Sequence, residues 1–507
     1  MRRYALVFAF LFVPAPLHAA EFDPKPIDEV VEKAMKEFGV PGASVVIVRD
    51  GEVIYLKGFG VREKDKPEKV TPDTVFPIAS CSKAFTATAI AMLADEGKLK
   101  WDDKVRDHLE YFRLSDELAD REVTLRDMLC HRTGMPRHDM LWSGLSVDSG
   151  EVIRRWGKGK PSTSFRSKWE YSNVPFTTAG VIAGKIEKSD WAGVIQKRIF
   201  DPLGMKTSSC TSKAGQSQSD HATPHYYGFD KSISAIKWDD IDHAGGAGCI
   251  NSSARDLAAW LKFQLAEGKF DGKQLITARG LRETHTAQML LKPEGPFAIY
   301  FPAKATRFSS YGLGWFVHDY RGLTCVSHGG TLTGFRAQCM LVPEKKLGVF
   351  VLCNMRPSYL CETVAKTALD TLLGLPTEDW VAFHKEQLAL FDINISAAKK
   401  KRAGDRKVDT KPSLALKQYT GSFDEPAYGR AEVVLENDML MIKWGKFTCR
   451  LEHYHYDTFT AIPVEPKDEV VSYDRSTLDV QFRLGSNGEV EGMKFLDQEF
   501  KKVAAKK

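Results

Sequence analysis

The chain has 507 residues, of which 43% are hydrophobic and 27% are charged. These values are typical of a globular protein too long for one compact domain. The formal net charge of +5 is spread along the sequence, so it does not favour a function in nucleic-acid binding.

The N-terminus has the pattern of a cleavable secretory signal. Residues 1–20 contain two arginines, then an apolar run, and end on the small residues Ala19 and Ala20. The apolar run is too short to span a bilayer, and no other stretch is long and apolar enough to do so. The mature protein is therefore predicted to be exported, to the periplasm or the medium, without an integral membrane segment.

Nine cysteines are scattered through the chain, without C-x-x-C pairs or the density of a disulfide framework. Several of them lie in apolar helix or strand patterns. They are predicted to be buried free thiols that act as packing residues.

The first elements are a helix and a hairpin. Apolar residues at helical spacing predict a helix from Ile27 to Phe38, which Gly39 ends. The β-rich runs 43–48 and 52–57 are joined through Asp50-Gly51, a strong hairpin signal.

Residues 71–97 contain the first candidate for chemistry, Ser80 followed by Lys83. Apolar spacing predicts a helix here, and residues three apart on a helix share a face. A lysine with a lowered pKa can take the proton of a serine hydroxyl. S-x-x-K recurs at 234–237 and 396–399, and an isolated match is more typical of a helix cap with an exposed lysine.

Helices and loops are predicted from this segment to about residue 306, including helices at 174–186 and 254–265. Strand patterns return at 311–317, 324–327, 335–342 and 347–353, and a helix is predicted at 358–373. Strands at both ends of this region predict one antiparallel sheet that the two chain ends close. The helical insertion between them would form the opposite wall of a cleft.

The composition changes after residue 376. Residues 399–407 form a basic run without apolar periodicity, which predicts a solvated linker, with a patch for nucleic acid or an anionic surface as the less favoured alternative. From residue 414 short alternating strands with turn signals predict a small all-β domain, a closed barrel.

Two further motifs lie between these segments. Tyr171-Ser172-Asn173 precedes a predicted helix, and His328-Gly329-Gly330 ends a predicted strand. Alone, the first is typical of a helix cap and the second of a strand-end turn. Glycines at a strand end also let a substrate backbone approach, and an exposed strand edge can pair with a peptide.

In the order and spacing of these motifs the chain resembles the serine β-lactamase and penicillin-binding protein superfamily, in its class C β-lactamase, D-aminopeptidase and esterase branch. The resemblance covers residues 27–375, with supporting stretches at 129–134, 200–205 and 246–256. It implies an α+β fold, with a five-stranded antiparallel sheet flanked by helices and a helical subdomain. The tail resembles the lipocalin-like domain of some exported members.

The resemblance also implies roles for the motif residues. Ser80 would be the nucleophile, Lys83 its proton partner and Tyr171 the general base. Asn173 would bind the substrate amide, and His328 stands where class C β-lactamases carry lysine, which argues against efficient β-lactam hydrolysis. Gly329, Gly330 and Thr331, at the end of the predicted strand, would contact the substrate. The resemblance places the oxyanion hole at the backbone N–H groups of Ser80 and Thr331.

The predicted organisation is a signal peptide (1–20), a β-lactamase-like hydrolase domain (21–376), a linker (377–411) and a lipocalin-like barrel (412–507). The predicted function is hydrolysis of an amide or ester through a Ser80 acyl-enzyme, in a small molecule or short peptide, including cell-wall peptides. Neither a metal nor another cofactor is expected, nor a nucleic-acid partner; the oligomeric state is left open.

The sequence allows three alternative interpretations. A catalytically silent scaffold or binding protein would not need Ser80, Lys83 and Tyr171 together. An α/β-hydrolase would need G-x-S-x-G, which is absent from the sequence. A zinc hydrolase would need a third partner beside His221 and His225, or H-E-x-x-H, and neither is found.

Overall fold

The computed structural model describes residues 22–227, 232–292, 298–464 and 478–504. The predicted signal peptide, residues 1–20, lies outside these ranges and stays a prediction. Within them, no helix is both long and apolar enough to cross a membrane.

An antiparallel sheet forms the centre of the N-terminal domain. In chain order its strands are β1 (Gly42–Arg49), β2 (Glu52–Gly60), β3 (Met289–Leu291), β4 (Ser309–Tyr311), β5 (Phe316–Tyr320), β6 (Leu323–Leu332), β7 (Phe335–Val342) and β8 (Leu347–Cys353). Their order across the sheet is β2-β1-β8-β7-β6-β5-β4-β3. Ala43 of β1 pairs with Cys353 of β8, so the two ends of the domain close the sheet as predicted.

The α+β fold class is confirmed, but the sheet has eight strands in the described residues rather than five. The difference lies partly at the edge formed by β3 and β4. Each has only three residues, which is too short for alternation of apolar and polar side chains to reveal a strand.

Six longer helices are α1 (Lys25–Phe38), α2 (Ser82–Asp95), α3 (Val174–Glu187), α4 (Ala254–Leu265), α5 (Leu360–Leu372) and α6 (Trp380–Asp405). Shorter helices are Val105–His108, Glu117–Glu122, Leu125–Leu129, Met140–Ser143, Ser149–Gly157, Trp191–Ile195, Asp201–Leu203, Ser212–Gln216 and Ala278–Thr284. Shorter strands are Phe76–Pro77, His225–Tyr227, Ile233–Ala235, Asn251–Ser252, Lys269–Phe270, Lys273–Gln274 and Met355–Arg356.

The sheet is covered on both faces. Because side chains alternate along a strand, Val45 and Val351 pack with α1 and α5, whereas Val46 and Phe350 pack with α2 and α4. The shorter helices between residues 105 and 216 extend the α2 layer into a helical wall. A cleft separates this wall from the end of β6.

The predicted linker contains a helix, and the residues of its basic run are exposed to solvent except for the half-buried Arg402. Helix α6 begins with Trp380 and Val381, which are buried against α1 and α5. Near its end Arg402 donates to Asp479 of the C-terminal domain at 2.7 Å and lies over the Tyr454 ring. The basic run showed no apolar periodicity because these contacts are polar and cation–π contacts rather than an apolar face.

The C-terminal domain is a closed eight-stranded barrel, as predicted. Its strands are β9 (Gly421–Glu425), β10 (Gly429–Glu436), β11 (Met439–Trp444), β12 (Phe447–His455), β13 (Thr458–Pro463), β14 (Leu478–Leu484), β15 (Val490–Phe495) and β16 (Gln498–Lys502). Phe423 of β9 pairs with Lys502 of β16, which closes the barrel and leaves it without a free edge.

The nine cysteines are all free, and all but Cys210 are buried. The prediction that they act as packing residues is therefore confirmed.

Candidate active site

Ser80 lies in the 3₁₀ turn Ala79–Cys81, directly before α2. Ala79 has a φ of 48°, in the left-handed region that an alanine rarely adopts. Such strain persists only where the surrounding structure holds it, and it is commonest at functional sites. The strained turn places the Ser80 side chain at the cleft rather than inside the helix.

Two side chains meet at the Ser80 hydroxyl. Lys83 Nζ lies 3.2 Å from Ser80 Oγ, one helical turn further along, as the spacing predicted. The Tyr171 hydroxyl donates to the same oxygen at 2.9 Å, from the segment that leads into α3. Tyr171 is 91 positions from Ser80 in the sequence, so the fold brings two distant segments together at this oxygen atom.

Lys83 is fully buried and has two further partners. Its Nζ donates to Asn173 Oδ1 and to the backbone oxygen of Ala247, both at 2.7 Å. Burial, and then the charge of Arg137, hold the pKa of Lys83 well below its ordinary value. A neutral amine donates two hydrogen bonds and accepts one, which matches these two acceptors and the Ser80 hydroxyl.

Asn173 lies behind Lys83 and does not line the cavity beside Ser80. Its oxygen accepts from Lys83, and its Nδ2 donates to Asp139 Oδ1 at 2.9 Å. The contact with a substrate amide that the resemblance implied stays a prediction. In this structure Asn173 orients the Lys83 amine.

Tyr171 packs on the ring of His131, with centroids 4.5 Å apart. Burial raises the pKa of the Tyr171 phenol, so the neutral phenol is favoured. His131 Nδ1 accepts from the backbone N–H of Ser172 at 3.3 Å, and burial holds the pKa of its imidazole well below the usual value. The supporting stretch 129–134 thus lies beneath the tyrosine.

His328 lies on β6 with both ring nitrogens engaged. Nδ1 is 2.7 Å from the oxygen of Gly329, so it carries the proton, and Nε2 accepts from the Tyr311 hydroxyl at 3.1 Å. Burial, and then the nearby Lys83, lower the pKa of His328 to about 3. The imidazole is therefore neutral at ordinary pH.

The glycines of the strand end differ in their surroundings. A Cβ on Gly330 would lie 2.1 Å from the carbonyl oxygen of Ile78, directly before the turn that holds Ser80. A Cβ on Gly329 would meet only the end of the Gln338 side chain, at 3.0 Å. Glycine at 330 therefore allows β6 to lie against the Ser80 turn.

Thr331 and Gly329 line the cavity, beyond the last β5–β6 pair, Phe316–Ser327. Residues 328–332 of β6 thus pair with β7 but not with β5, so one strand edge is open towards the cleft. An open edge offers backbone groups that an extended substrate can pair with. This is the arrangement that the sequence predicted.

A cavity of about 430 Å³ adjoins Ser80. Besides predicted site residues it is lined by side chains that sequence reasoning missed: Arg137, Asp139, Trp169, Tyr300, Phe301, Phe316, His318, Ser327, Arg336, Gln338, Met340, Arg356, Glu362 and Lys366. One signal was available, because Arg336 is a charged residue inside an otherwise apolar strand pattern. Glu362 and Lys366, four apart on α5, look like an ordinary exposed helical pair.

The other S-x-x-K matches do not contribute to this cavity. Ser234 and Ser396 are both exposed to solvent. Across the ranges that the structure describes, no group of three or more histidine, cysteine, aspartate or glutamate side chains is placed to hold a metal ion.

The site thus has the geometry of a serine hydrolase that pairs its serine with a lysine and a tyrosine. A family model described as Beta-lactamase matches residues 27–370, more than half of the chain. The chain therefore belongs to the β-lactamase family, in the superfamily of serine hydrolases that includes penicillin-binding proteins. A second model, a domain of unknown function (DUF3471), matches residues 405–507.

Two curated relatives match different shares of the chain. Unguisins hydrolase ungD′ of Aspergillus campestris is 26% identical over 490 residues, which are 91% of this chain and 87% of that protein. Protein flp of Staphylococcus aureus is 27% identical over 350 residues, 67% of this chain and 64% of that protein.

Two solved structures share the fold. The penicillin-binding protein homologue from Pyrococcus abyssi, described as octameric, has a TM-score of 0.61 and 23% identity, and covers 95% of this chain and 100% of its own. The D-stereospecific amidohydrolase from Streptomyces sp. has a TM-score of 0.55 and 20% identity, and the match covers 70% of this chain and 100% of that one. The closed barrel is consistent with the lipocalin-like domain that the sequence predicted.

Proposed function

We propose that the chain is a serine hydrolase that cleaves an amide or ester bond through an acyl-enzyme on Ser80. The observation that carries this proposal is the pair of contacts that Lys83 and Tyr171 make with one serine oxygen. A serine is nucleophilic at neutral pH only when a neighbouring base accepts its proton. Membership of the β-lactamase family supports the same reaction class.

In this proposal Lys83 is the base that activates Ser80. The lowered pKa of its amine favours the neutral form, which has a lone pair for the serine proton. Asn173 and the Ala247 carbonyl hold the amine in place while this happens. Ser80 Oγ then attacks the substrate carbonyl, and Lys83 becomes an ammonium ion.

In this proposal Tyr171 acts in acylation as a proton donor, whereas the resemblance implied a general base in acylation or deacylation. Because burial raises the pKa of its phenol, it is protonated when substrate binds, and it can donate towards the leaving atom. The Lys83 ammonium then returns a proton to the phenolate, so both groups are neutral again before deacylation. In deacylation the neutral amine takes a proton from the attacking water, and the phenol donates one to Ser80 Oγ. The oxyanion would be held by the N–H groups of Ser80 and Thr331.

The substrate class is a small ester or a short peptide, with cell-wall peptides among the candidates. The cavity volume and the open edge of β6 support an extended ligand that adds to the strand. His328 is neutral and uses its proton on Gly329, so it supplies no cation beside a β-lactam. This supports weak turnover of β-lactams relative to esters and amides.

Covalent labelling tests the proposal. A fluorophosphonate probe should label the protein, and mass spectrometry of the digested protein should place the adduct on Ser80 and not on Ser82. Ser82 is the matched comparison because its hydroxyl is buried and accepts from the Ile250 N–H at 3.1 Å. Ser80→Ala should abolish labelling and turnover of 4-nitrophenyl esters while the circular dichroism spectrum stays unchanged.

The alternative, a silent scaffold, is separated by the same experiment. A folded protein that neither labels nor turns over esters, D-amino-acid amides or nitrocefin would favour it and contradict hydrolysis. Export is also proposed, from the pattern of residues 1–20. Expression of the full chain, followed by N-terminal sequencing of the extracellular or periplasmic product, should give a start close to residue 21.

A further inference from the structure

The cavity beside Ser80 continues to a second end, on the α5 side of the sheet. The catalytic candidates occupy one end, with Ser80 and Tyr171. At the other end, β7 contributes Arg336 and Gln338, and α5 contributes Glu362 and Lys366. Nothing in the proposed acyl-transfer chemistry uses these charged side chains.

Arg336 is held in place but is not fully hydrogen-bonded. Its side chain is 8% exposed, pairs with Glu362 and donates from Nη1 to Thr331 Oγ1 at 2.6 Å. Its Nε–H is buried and has no hydrogen-bond partner among the described residues. Thr331 links this guanidinium to the strand end beside Ser80.

Lys366 is a buried cation without an ionic partner. The residue is 3% exposed and lines the cavity, and no hydrogen bond or ion pair joins its ammonium to another described residue. Its Nζ lies 5.5 Å from the centroid of the Trp380 ring. Burial lowers the pKa of Lys366 to about 8, so most molecules carry the charge at neutral pH.

The acidic groups nearby do not neutralise this end of the cavity. Glu362 is paired with Arg336, and Asp370, one turn beyond Lys366, accepts from the Tyr320 hydroxyl and from Trp380 Nε1, each at 2.7 Å. Arg336 and Lys366 thus face one carboxylate, that of Glu362, at this end of the cavity, which leaves a positive excess. A buried cation without a partner is destabilising unless a ligand supplies the missing anion.

We infer that this end of the cavity binds a carboxylate of the substrate, held by Lys366 Nζ beside the guanidinium of Arg336. The inference rests on the proposed function and adds the substrate class to it: an ester or short peptide with a free carboxylate. The scissile carbonyl would lie at Ser80 while the carboxylate lies on the α5 side. His328, at the Ser80 end, takes no part in holding it.

Paired esters test this inference. The substrates are mono-4-nitrophenyl succinate, glutarate and adipate, each compared with its methyl-blocked ester. Wild-type protein should prefer the free acid at one chain length at least, and Lys366→Met should lower the ratio of kcat/KM for acid over blocked ester about tenfold or more. Lys385→Met is the matched control, because Lys385 is 64% exposed and pairs with Glu37 on the surface; its ratio should equal that of wild type.

Thermal melting separates a binding role from a structural one. Lys366→Met keeps the volume of the side chain and removes a buried unpaired charge, so the Tm without ligand should stay the same or rise. A fall in Tm together with an unchanged ratio would show that Lys366 serves the fold, and would overturn the inference. A wild-type protein without preference for the acid at any of the three lengths would also overturn it.

Ligand binding to a protein without the nucleophile tests the carboxylate site separately from hydrolysis. Monomethyl glutarate should raise the Tm of the Ser80→Ala protein, and dimethyl glutarate should not. The shift should be lost in Ser80→Ala combined with Lys366→Met. If no ester is turned over but this shift appears, hydrolysis fails and the carboxylate site stands; if esters are turned over and no shift appears, the carboxylate site fails.

Discussion

At the scale of single residues, the chemistry of the site depends on how burial sets two protonation states. The environment that lowers the pKa of Lys83 raises the pKa of Tyr171, because a site with little water disfavours charge on both. The resting pair is therefore a neutral amine and a neutral phenol. Each contacts the Ser80 oxygen, one as a proton acceptor and the other as a donor.

Substitution of either partner should impair catalysis. Lys83→Arg replaces the amine by a guanidinium that does not deprotonate, and Tyr171→Phe removes the donor; each should lower kcat about a hundredfold or more. In wild type, kcat/KM should rise with pH as the Lys83 amine loses its proton. The apparent pKa of this rise should lie well below 10.5, the ordinary value for a lysine. A Lys83→Arg protein within a few-fold of wild type would contradict the role of the amine as base.

Alanine substitutions of Gly330 and of its neighbour Gly329 test whether β6 must lie close to the Ser80 turn, with Gly329 as the control. Gly330→Ala places a methyl group 2.1 Å from the Ile78 oxygen, so the backbone beside Ser80 must move. We expect a lower Tm and a loss of kcat of about a hundredfold, since small displacements of reacting groups have large effects. Gly329→Ala meets only a movable side chain, so its Tm should stay within a few degrees of wild type; equal losses of Tm would argue against the close approach.

At the scale of elements, the barrel contacts the segment that supports the site. The turn after β11 lies against the helix Met140–Ser143: Lys446 N–H donates to Gly144 O at 2.9 Å. The Tyr428 hydroxyl lies 3.0 Å from His138 Nδ1. The next residue, Asp139, hydrogen-bonds Asn173, which in turn orients Lys83. Three residues, His138, Asp139 and Asn173, thus link the barrel to the candidate base.

Loss of the Tyr428 hydroxyl should therefore reduce activity. Tyr428→Phe removes one hydrogen bond to His138, and we expect kcat to fall roughly two- to tenfold, in line with the net free energy of such a bond. The matched control is Tyr454→Phe, since the Tyr454 hydroxyl also crosses between domains but donates to Arg402 on α6. Both variants should remain folded; equal kcat values would place the barrel outside the support of the site.

At the scale of the whole molecule, buried histidines make stability depend on pH. Burial lowers the pKa of His285 and of His318 to about 4, and His328 to about 3. The unfolded chain binds these protons near pH 6.5, before the native state does. Stability is therefore present above about pH 6.5 and is lost as the pH falls towards 4.

His285 is suited to test this, because burial is the only cause of its lowered pKa. Its Nε2 lies 3.1 Å from Gln264 Oε1, and His285→Gln keeps a donor there without a group that titrates. Wild type should lose roughly 3 kcal/mol of unfolding free energy through this residue between pH 6.5 and 4. Urea unfolding at both pH values should show a smaller loss in the variant; an identical loss would contradict the assignment.

The sequence by itself determined the elements with strong local signals and the identity of the three motifs. Helices α2 and α3, the hairpin of β1 and β2, and the closed barrel follow from periodicity and turn residues that act over short distances. Ser80 and Lys83 share a face because they lie one helical turn apart. Tyr171 and His328 were assigned to the same site from the order of their motifs along the chain, and that order gives no distances between side chains.

Only the tertiary structure decided what surrounds those motifs. The direction in which burial moves the pKa of Lys83, the position of Asn173 behind it and the engagement of both His328 nitrogens depend on contacts between residues far apart in the chain. The charged end of the cavity is the clearest case. In the sequence Arg336 stands out only as a charge in an apolar strand pattern, and Lys366 looks like an exposed helical residue. Only the packing of α5 on the sheet buries both beside the same cavity.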